Sequence, residues 1–494
     1  MKKINKYILI TLIIASCTDL DDRFYDRIPD DEFPENEIQG AMTTTPVYAP
    51  MREFLDWGGW WFCQEVPSDE MTFPTRHTDW DDGGKWRVLH EHTWTNTTEA
   101  VAAMWKRFYE GIGQANFLIE PLLPTKDNPE TAATIAKLKI MRAYYYYLLI
   151  DNYGDVPYVT VYADAPEEPE KTARAVIFDS LVSDIEENVI LLPSGVSKTA
   201  VTKGMAYSLL AKLYLNAEVY TGTAQWAKAE AACDSVIALG SYSLESDPLG
   251  PFITENQDSP ENIFTIPYDE DTYDGFNLHM RTLHYIHNKT FNMSAGPWNG
   301  CAITYDHYNS FEDDDIRKKE GFLTGQQYSS TGEELFDETA GSNLIIDPYI
   351  PVLNMDASYT LQEIRMSGAR VIKFEIKKGA KDNLSNDFPI FRYADILLMK
   401  AEAMLRQSKS AGDAVTYVNP IRSRAGVSEW TGTDLTLETL IEERGREMFW
   451  EAHRRQDLIR FGKFNDEWWE KTVVDPSRNT FPIPQSALDV NPNL

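Results

Sequence analysis

Met141-Arg142-Ala143-Tyr144-Tyr145-Tyr146-Tyr147-Leu148-Leu149-Ile150-Asp151-Asn152-Tyr153-Gly154-Asp155-Val156-Pro157 is the stretch on which the fold turns. It closes a helical run that begins after Pro129, covers residues 130–152 and stops at Tyr153-Gly154, where glycine takes the left-handed step that ends a helix. A second segment, Ala206-Tyr207-Ser208-Leu209-Leu210-Ala211-Lys212, resembles Ala143–Leu149 at an offset of 63 residues, nearly twice a tetratricopeptide period of ~34. It lies in residues 202–219, where Met205, Leu209 and Leu213 recur at helical spacing. Further helices are predicted over 99–120, which stops before Pro121, and over 172–191 and 224–239, the last ended by Gly240. After a long break, helices return over 392–407, 410–424 and 435–461. Small residues at the crossings suggest antiparallel pairs stacked as a solenoid, so the fold class is mainly α: a tetratricopeptide-like scaffold of helical pairs.

Between 241 and 390 the helical period fades, and Gly, Pro, Asn and Asp recur. Short β-like runs appear at Asn262–Ile266 and Arg370–Ile376. A loop of that length does not belong in a compact domain, so it reads as a large loop-rich insert carrying a few short strands. Residues 41–98 are also loop-rich and hold Trp57, Trp60, Trp61, Trp80, Trp86 and Trp94, punctuated by Gly58-Gly59 and Gly83-Gly84. The tail Phe481-Pro482-Ile483-Pro484-Gln485 is expected to be extended.

The N-terminus precedes the fold. Lys2, Lys3 and Lys6 form a basic region, Tyr7–Ile14 is apolar, and Ala15-Ser16 supply small residues before Cys17. The apolar run is too short to cross ~30 Å of hydrocarbon and suits a signal peptide. Ile14-Ala15-Ser16-Cys17 resembles a bacterial lipobox, in which Cys17 becomes the acylated first residue. Thr18-Asp19-Leu20-Asp21-Asp22 then looks like the acidic stretch that sends lipoproteins of Bacteroidetes-type bacteria to the outer face of the outer membrane. The division is residues 1–16 signal peptide, 17–40 lipidated acidic tether, 41–240 Trp-rich loops and helical repeats, 241–390 insert, and 391–494 C-terminal helices and extended tail.

The 494 residues carry 46 Lys+Arg against 77 Asp+Glu, a formal net charge of −31, and loss of the leader lysines makes the mature chain more acidic still. Such acidity speaks against a nucleic-acid binder, which needs clustered cations. Hydrophobic residues make up 43% and charged residues 25%, which is ordinary globular usage, whereas 13 Trp and 25 Tyr are many. Rings on an acidic chain fit a surface that stacks on something uncharged. Of four cysteines, Cys63, Cys233 and Cys301 remain after Cys17, far apart and without C-x-x-C, so no metal site is expected from them. No H-E-x-x-H, G-x-S-x-G or P-loop is present.

Four blocks in order carry a family resemblance: Met141–Pro157 with its aromatic run ending in Tyr-Gly-Asp-Val-Pro; Arg392–Ala403; Glu442–Arg460; and Ile483-Pro484-Gln485 with Asn491-Pro492-Asn493. Behind a lipobox, they resemble the SusD/RagB family of outer-membrane glycan-capturing lipoproteins. The resemblance implies a tetratricopeptide-like scaffold, an irregular ligand-binding half, no enzymatic activity and no cofactor. It also implies a SusC-like TonB-dependent outer-membrane barrel as partner. Ala452 stands where the family commonly has Gly.

The charged residues of 435–461 read as ion pairs along one helix: Glu447 with Arg444, Glu451 with Arg454 or Arg455, Asp457 with Arg460, and upstream Arg392 with Asp395. Glutamates on one helical stripe cannot face each other across a sugar, as a glycosidase requires. Glu312-Asp313-Asp314-Asp315 reads as a solvated acidic turn. A glycan site needs a ring beside planar polar groups on a loop. Arg76–Trp86 and Ser294–Gly300 fit, and they match the regions from which the family draws its binding aromatics. The candidates are Trp80 and Trp298 for stacking and Arg76, Asp79 and Asn299 for hydroxyls, with Trp86 and Tyr273 as further rings. A neutral oligosaccharide is the expected ligand. A peptide-binding helical-repeat uptake lipoprotein and a secreted helical glycoside hydrolase are the alternatives.

Overall fold

The computed structural model describes residues 44–193 and 195–494. The signal peptide, Cys17 and the acidic tether lie outside the described residues.

The first helices are α1 (Glu99–Ile119), α2 (Pro129–Tyr153), α3 (Arg174–Val189), α4 (Lys203–Leu215) and α5 (Trp226–Ala238). Each packs on the next, and α5 packs on a later helix, α7 (Tyr393–Arg406), which holds α8 (Ala411–Arg424) on its other side. The described chain is therefore a mainly α, tetratricopeptide-like stack whose last members come from beyond the insert. Helix α2 starts as Pro129 and Asn128 dictate: the Asn128 side chain accepts from the Glu130 and Thr131 amides.

The four tyrosines of α2 explain its place. At 3.6 residues per turn, four consecutive side chains point to all sides, so a helix that buries all four must be central. Tyr144, Tyr145, Tyr146 and Tyr147 are at most 5% exposed. Tyr145 donates to the Val47 carbonyl at 2.7 Å, Tyr146 to the Val159 carbonyl at 2.9 Å and Tyr147 to Gln456 Oε1 at 3.1 Å. Each hydroxyl thus ties α2 to a different part of the chain. Against Tyr145, α1 presents Gly111, where a Cβ would lie 2.2 Å from the ring; only glycine lets the two helices approach.

The insert is closed at its base by an antiparallel pair, β1 (Asn262–Ile266) and β2 (Phe388–Arg392), and β2 runs straight into α7. The other expected strand is shorter than its β-like run: only Arg370–Val371 pairs, with Phe322–Leu323. The Trp-rich region is woven into the insert. Met71–Thr72 pairs antiparallel with Ala302–Ile303, and Thr75–Arg76 pairs parallel with Asn354–Met355. Within the predicted 41–98 region, the described residues 44–98 are also more helical than their composition suggested, with turns at Thr45–Leu55, Trp60–Glu65 and Lys85–His90. Pro482–Pro484 is extended, and Gln485 opens a short helix, Gln485–Leu488.

The 435–461 segment departs from expectation. It forms two helices, α9 (Leu437–Met448) and α10 (Arg454–Arg460), separated by a break in which Trp450 and Ala452 have φ of +68° and +64°. The cause is burial of charge. Glu451 does not meet Arg454 or Arg455. It turns inward to Lys373 of the insert at 2.5 Å and to Arg392 at 2.6 Å. Glu447 likewise leaves Arg444 for Arg392 at 2.7 Å, Arg424 at 2.6 Å and Arg317 at 2.9 Å. Asp395 pairs with Lys212 and Arg444, each at 2.9 Å, rather than with Arg392. The Asp457–Arg460 pair forms as expected, at 2.7 Å. In the acidic turn Asp313 and Asp314 are solvated. Asp315 is instead buried against Arg317, and Glu312 binds Arg422 at 2.7 Å.

Ala452 sits where the left-handed backbone favours glycine. That conformation costs a non-glycine residue ~1–2 kcal/mol, more than the ~0.8 kcal/mol contributed by one buried methyl. Ala452→Gly is expected to raise stability by about 0.5–1 kcal/mol in chemical denaturation; a loss would show that the methyl's packing outweighs the strain. Glu447→Gln leaves three buried guanidiniums short of a carboxylate, and a loss of about 3 kcal/mol or more is expected.

Two further buried carboxyls stand under the break. Glu65 accepts from the Ala452 amide, and its carboxyl shares a side-chain hydrogen bond with Glu70. Burial raises the pKa of both, and the neighbouring Glu65 raises Glu70 further. A carboxyl raised above its unfolded value of about 4.3 contributes stability below that pH and loses it as pH climbs towards the folded value. The melting temperature is therefore expected to fall from pH 5 to pH 9, and Glu70→Gln should flatten that fall; an unchanged slope would show that the pair does not titrate with folding.

Candidate functional site

The site grows from a tight turn. Asp56-Trp57-Gly58-Gly59 joins the Thr45–Leu55 turn to the Trp60–Glu65 helix. Gly58 has φ +68°, and a Cβ on Gly59 would sit 2.7 Å from the Glu53 carbonyl. The turn sends Trp60 and Trp61 into the core and leaves Trp57 39% exposed. The Trp57 ring stacks on Trp298 from the insert at 5.5 Å, with an interplanar angle of 30°, and leans on Trp80 at 5.7 Å and Trp86 at 5.9 Å. Behind it, the Arg281 guanidinium lies between the Trp57 and Phe62 rings, 4.6 Å from each. Burial pushes its pKa down to about 10, and its nitrogens meet no hydrogen-bond acceptor among the described residues. Ring faces hold this cation.

The loop after Thr75 is coiled unusually hard, with positive φ at His77, Trp80, Asp82, Gly83 and Gly84. Trp80 is 8% exposed. Its indole nitrogen donates to the Trp298 carbonyl at 2.7 Å, and its ring lies over Gly300, where a Cβ would come within 2.5 Å. Trp80 thus locks one loop onto the other, and Trp298, half-buried, offers the more accessible ring.

Three of the expected ligand contacts are largely buried, Arg76 being the one that also lines the cleft described below. Arg76 is 2% exposed, and its guanidinium is spent on the carbonyls of Ile364 at 2.7 Å, Ser367 at 3.1 Å and Gly300. Asn299 is fully buried, donating to the Arg365 carbonyl at 3.0 Å and accepting from Arg370 at 2.8 Å. Trp86 is 2% exposed, stacked on Phe73 at 4.7 Å, and donates to Asp82 at 2.8 Å. These side chains support the loops from beneath. Tyr273 is exposed, with Arg52 4.1 Å over its ring, on a small hairpin that joins neither the ring stack nor the cleft described next.

At Asp79, next in the chain to Trp80, opens a cleft of about 620 Å³, lined among others by Arg76, Asp79, Tyr285, Tyr359, Leu361 and Arg365. The short helix α6 (Leu361–Met366) forms one wall. Asp79 accepts a hydrogen bond from the Tyr285 hydroxyl, whose pKa is pushed up to about 12 by burial and then by that carboxylate. Arg365 lies 4.5 Å over the Tyr285 ring and is held by Asp337 at 2.6 Å. The cleft therefore combines aromatic faces with a carboxylate acceptor, a phenol and a guanidinium. A second groove, of about 590 Å³, lies at the tail by Trp94 and Phe481. Those rings are 1% and 2% exposed and offer no face for stacking.

Sequence reasoning missed Trp57, Tyr285 and Tyr359. Trp57 had a signal: a ring flanked by Asp56 and Gly58-Gly59 in a turn. Cys63, Cys233 and Cys301 are buried free thiols, and among the described residues no group of three or more His, Cys, Asp or Glu side chains is arranged to hold a metal.

A family model described as "SusD family" matches residues 365–494, and one described as "Starch-binding associating with outer membrane" matches residues 63–215. The starch-binding protein SusD of Bacteroides thetaiotaomicron is 26% identical, over 87% of this chain and 83% of that one. A SusD superfamily protein from Parabacteroides distasonis superposes with a TM-score of 0.75 at 19% identity, covering 92% of this chain and 97% of that one. Surface glycan-binding protein A from Bacteroides thetaiotaomicron, solved in complex with laminarihexaose, gives a TM-score of 0.70 at 23% identity, covering 92% and 97%. The structural likenesses carry the fold; the two family matches lie before the insert and from its last part onward, and include the Tyr144–Tyr147 run, Arg392 and Glu447. On these grounds the chain belongs to the SusD/RagB family.

Proposed function

We propose that this protein is a cell-surface glycan-binding lipoprotein, non-catalytic, that captures oligosaccharides and passes them to a TonB-dependent outer-membrane barrel. One observation carries the reading: the exposed Trp57 ring stacks on Trp298, which Trp80 ties to its chain neighbour Asp79, and Asp79 lines a cleft with Tyr285 and Arg365. A pyranose presents a C–H face to rings and hydroxyls to planar polar groups, and this arrangement meets both. Relatives whose names record starch binding or a complex with laminarihexaose support the same ligand class.

A binding role also follows from the cleft's charges. Asp79 is the one carboxylate among the described residues lining it, whereas glycoside hydrolysis uses two facing each other. Acylation at Cys17 would hold the protein at the outer membrane, and the acidic residues that follow would direct it outward. Among the described residues no helix is long and apolar enough to cross a membrane.

The test is retention of the mature protein in native gels containing starch, laminarin, xylan, mannan, alginate or pectin. At least one is expected to retard it, with no new reducing ends after overnight incubation. Trp57→Ala and Trp298→Ala should each weaken binding by about 1 kcal/mol or more. Wild-type mobility in every gel would contradict the reading; sustained release of reducing ends would contradict the non-catalytic part.

A further inference from the structure

Helix α6 has a cleft on each side. Leu361, Ile364 and Arg365 line the first, while Gln362, Glu363 and Met366 line a second cleft of about 410 Å³. The two are separated by little more than one helix diameter, about 10 Å.

The second cleft repeats the chemistry of the first. Tyr349, 49% exposed, lines it, and its amide donates to Asp347 Oδ1 at 2.9 Å, which fixes the turn that presents the ring. Tyr305, itself 40% exposed, braces that ring edge-on at 5.4 Å. Ile345 adds exposed apolar surface, and Asn343, Asp347 and Gln362 supply planar polar groups at the rim. Exposed rings and an aliphatic side chain gathered on one wall would otherwise be a liability on a soluble surface.

We infer that this second cleft is a distal subsite for the same glycan chain, taking neutral pyranose units beyond those held at Trp57 and Trp298. Continuity across α6 argues for one occupant reaching both clefts. Charge argues for neutral sugar: the second cleft is lined by the carboxylates of Asp347 and Glu363 and by no Lys or Arg among the described residues, so uronate or sulfate groups would be repelled. Two clefts on one chain act as linked sites, and affinity should climb with ligand length once both are reached. The inference rests on the glycan-binding reading of the first cleft.

The experiment is calorimetric titration with maltose and laminaribiose, with maltooctaose and laminarioctaose, and with starch and laminarin, using wild type, Tyr349→Ala, Ile345→Asp and Trp57→Ala. Wild type should bind the longer chains at least about tenfold more tightly than the disaccharides. Tyr349→Ala and Ile345→Asp should each lose about fivefold or more on the octasaccharides and polysaccharides and nothing on the disaccharides; Trp57→Ala should lose on every length. Both altered side chains are exposed, and an unchanged melting temperature reports intact folding. Wild-type affinity of both variants for the long chains, or an equal loss at every length, overturns the distal subsite while leaving the first cleft standing. Loss at every length in Trp57→Ala together with length-independent binding by wild type does the same. Failure of wild type to bind any of the six carbohydrates overturns the subsite as a neutral-glucan site; failure in the full polysaccharide gel panel contradicts the functional reading itself.

Discussion

Arg392, the last residue of β2, is 1% exposed and lies between Glu261, just before β1, and Glu447 and Glu451 of the C-terminal segment, at 2.6–2.8 Å. The architecture depends on this contact. An arginine buried at that depth requires carboxylates, and three converge on it from parts of the chain far apart in sequence. Lys373 adds a cation from the insert and donates to the Glu447 and Phe449 carbonyls as well as to Glu451. The consequence is the break between α9 and α10: a continuous helix would point Glu451 elsewhere.

The break reaches the candidate site through two aromatic residues. Trp450, turned out of helical geometry, meets Trp61 edge-on at 4.9 Å, and its carbonyl accepts from the Trp61 indole at 3.3 Å. Trp61 anchors the Trp60–Glu65 helix, and Glu65 accepts from the Ala452 amide. With that helix fixed from behind, the Gly58-Gly59 turn has one way to leave it, and Trp57 stays at the surface against Trp298. Arg76, Asn299 and Arg370 then hold the two loops of the candidate site to the end of α6 through backbone carbonyls. The rings that face solvent are braced by ring–ring and ring–cation contacts and by the hydrogen bonds of Arg76 and Asn299 beneath them, and rigidity lowers the entropic cost of holding a sugar.

The scaffold was legible because its signals are local. Pro129 and Gly154 bracket α2, Pro121 stops α1, and apolar spacing gives the rest. The α9–α10 break was not legible: Glu443, Glu447 and Glu451 keep a helical period, and Ala452 hides the left-handed residue that a glycine would have revealed. At the candidate site, a ring beside planar polar residues on a loop picked out two segments, Arg76–Trp86 and Ser294–Gly300, that the fold brings together through Trp80 and Trp298. It could not say which way each side chain faces. Arg76 and Asn299 turn inward because loops of such positive-φ density need internal hydrogen-bond donors, and that demand appears only in three dimensions. Trp57 was obscured by its neighbours Trp60 and Trp61, which are core.

The most direct measurement is a crystal structure of the mature protein with a bound oligosaccharide. A pyranose face packed on the Trp57 and Trp298 rings, with hydroxyls within hydrogen-bond distance of Asp79 or Arg365, is the predicted result. A sugar seated elsewhere, as in the tail groove beside Trp94 and Phe481, with the Trp57 ring untouched, would contradict it.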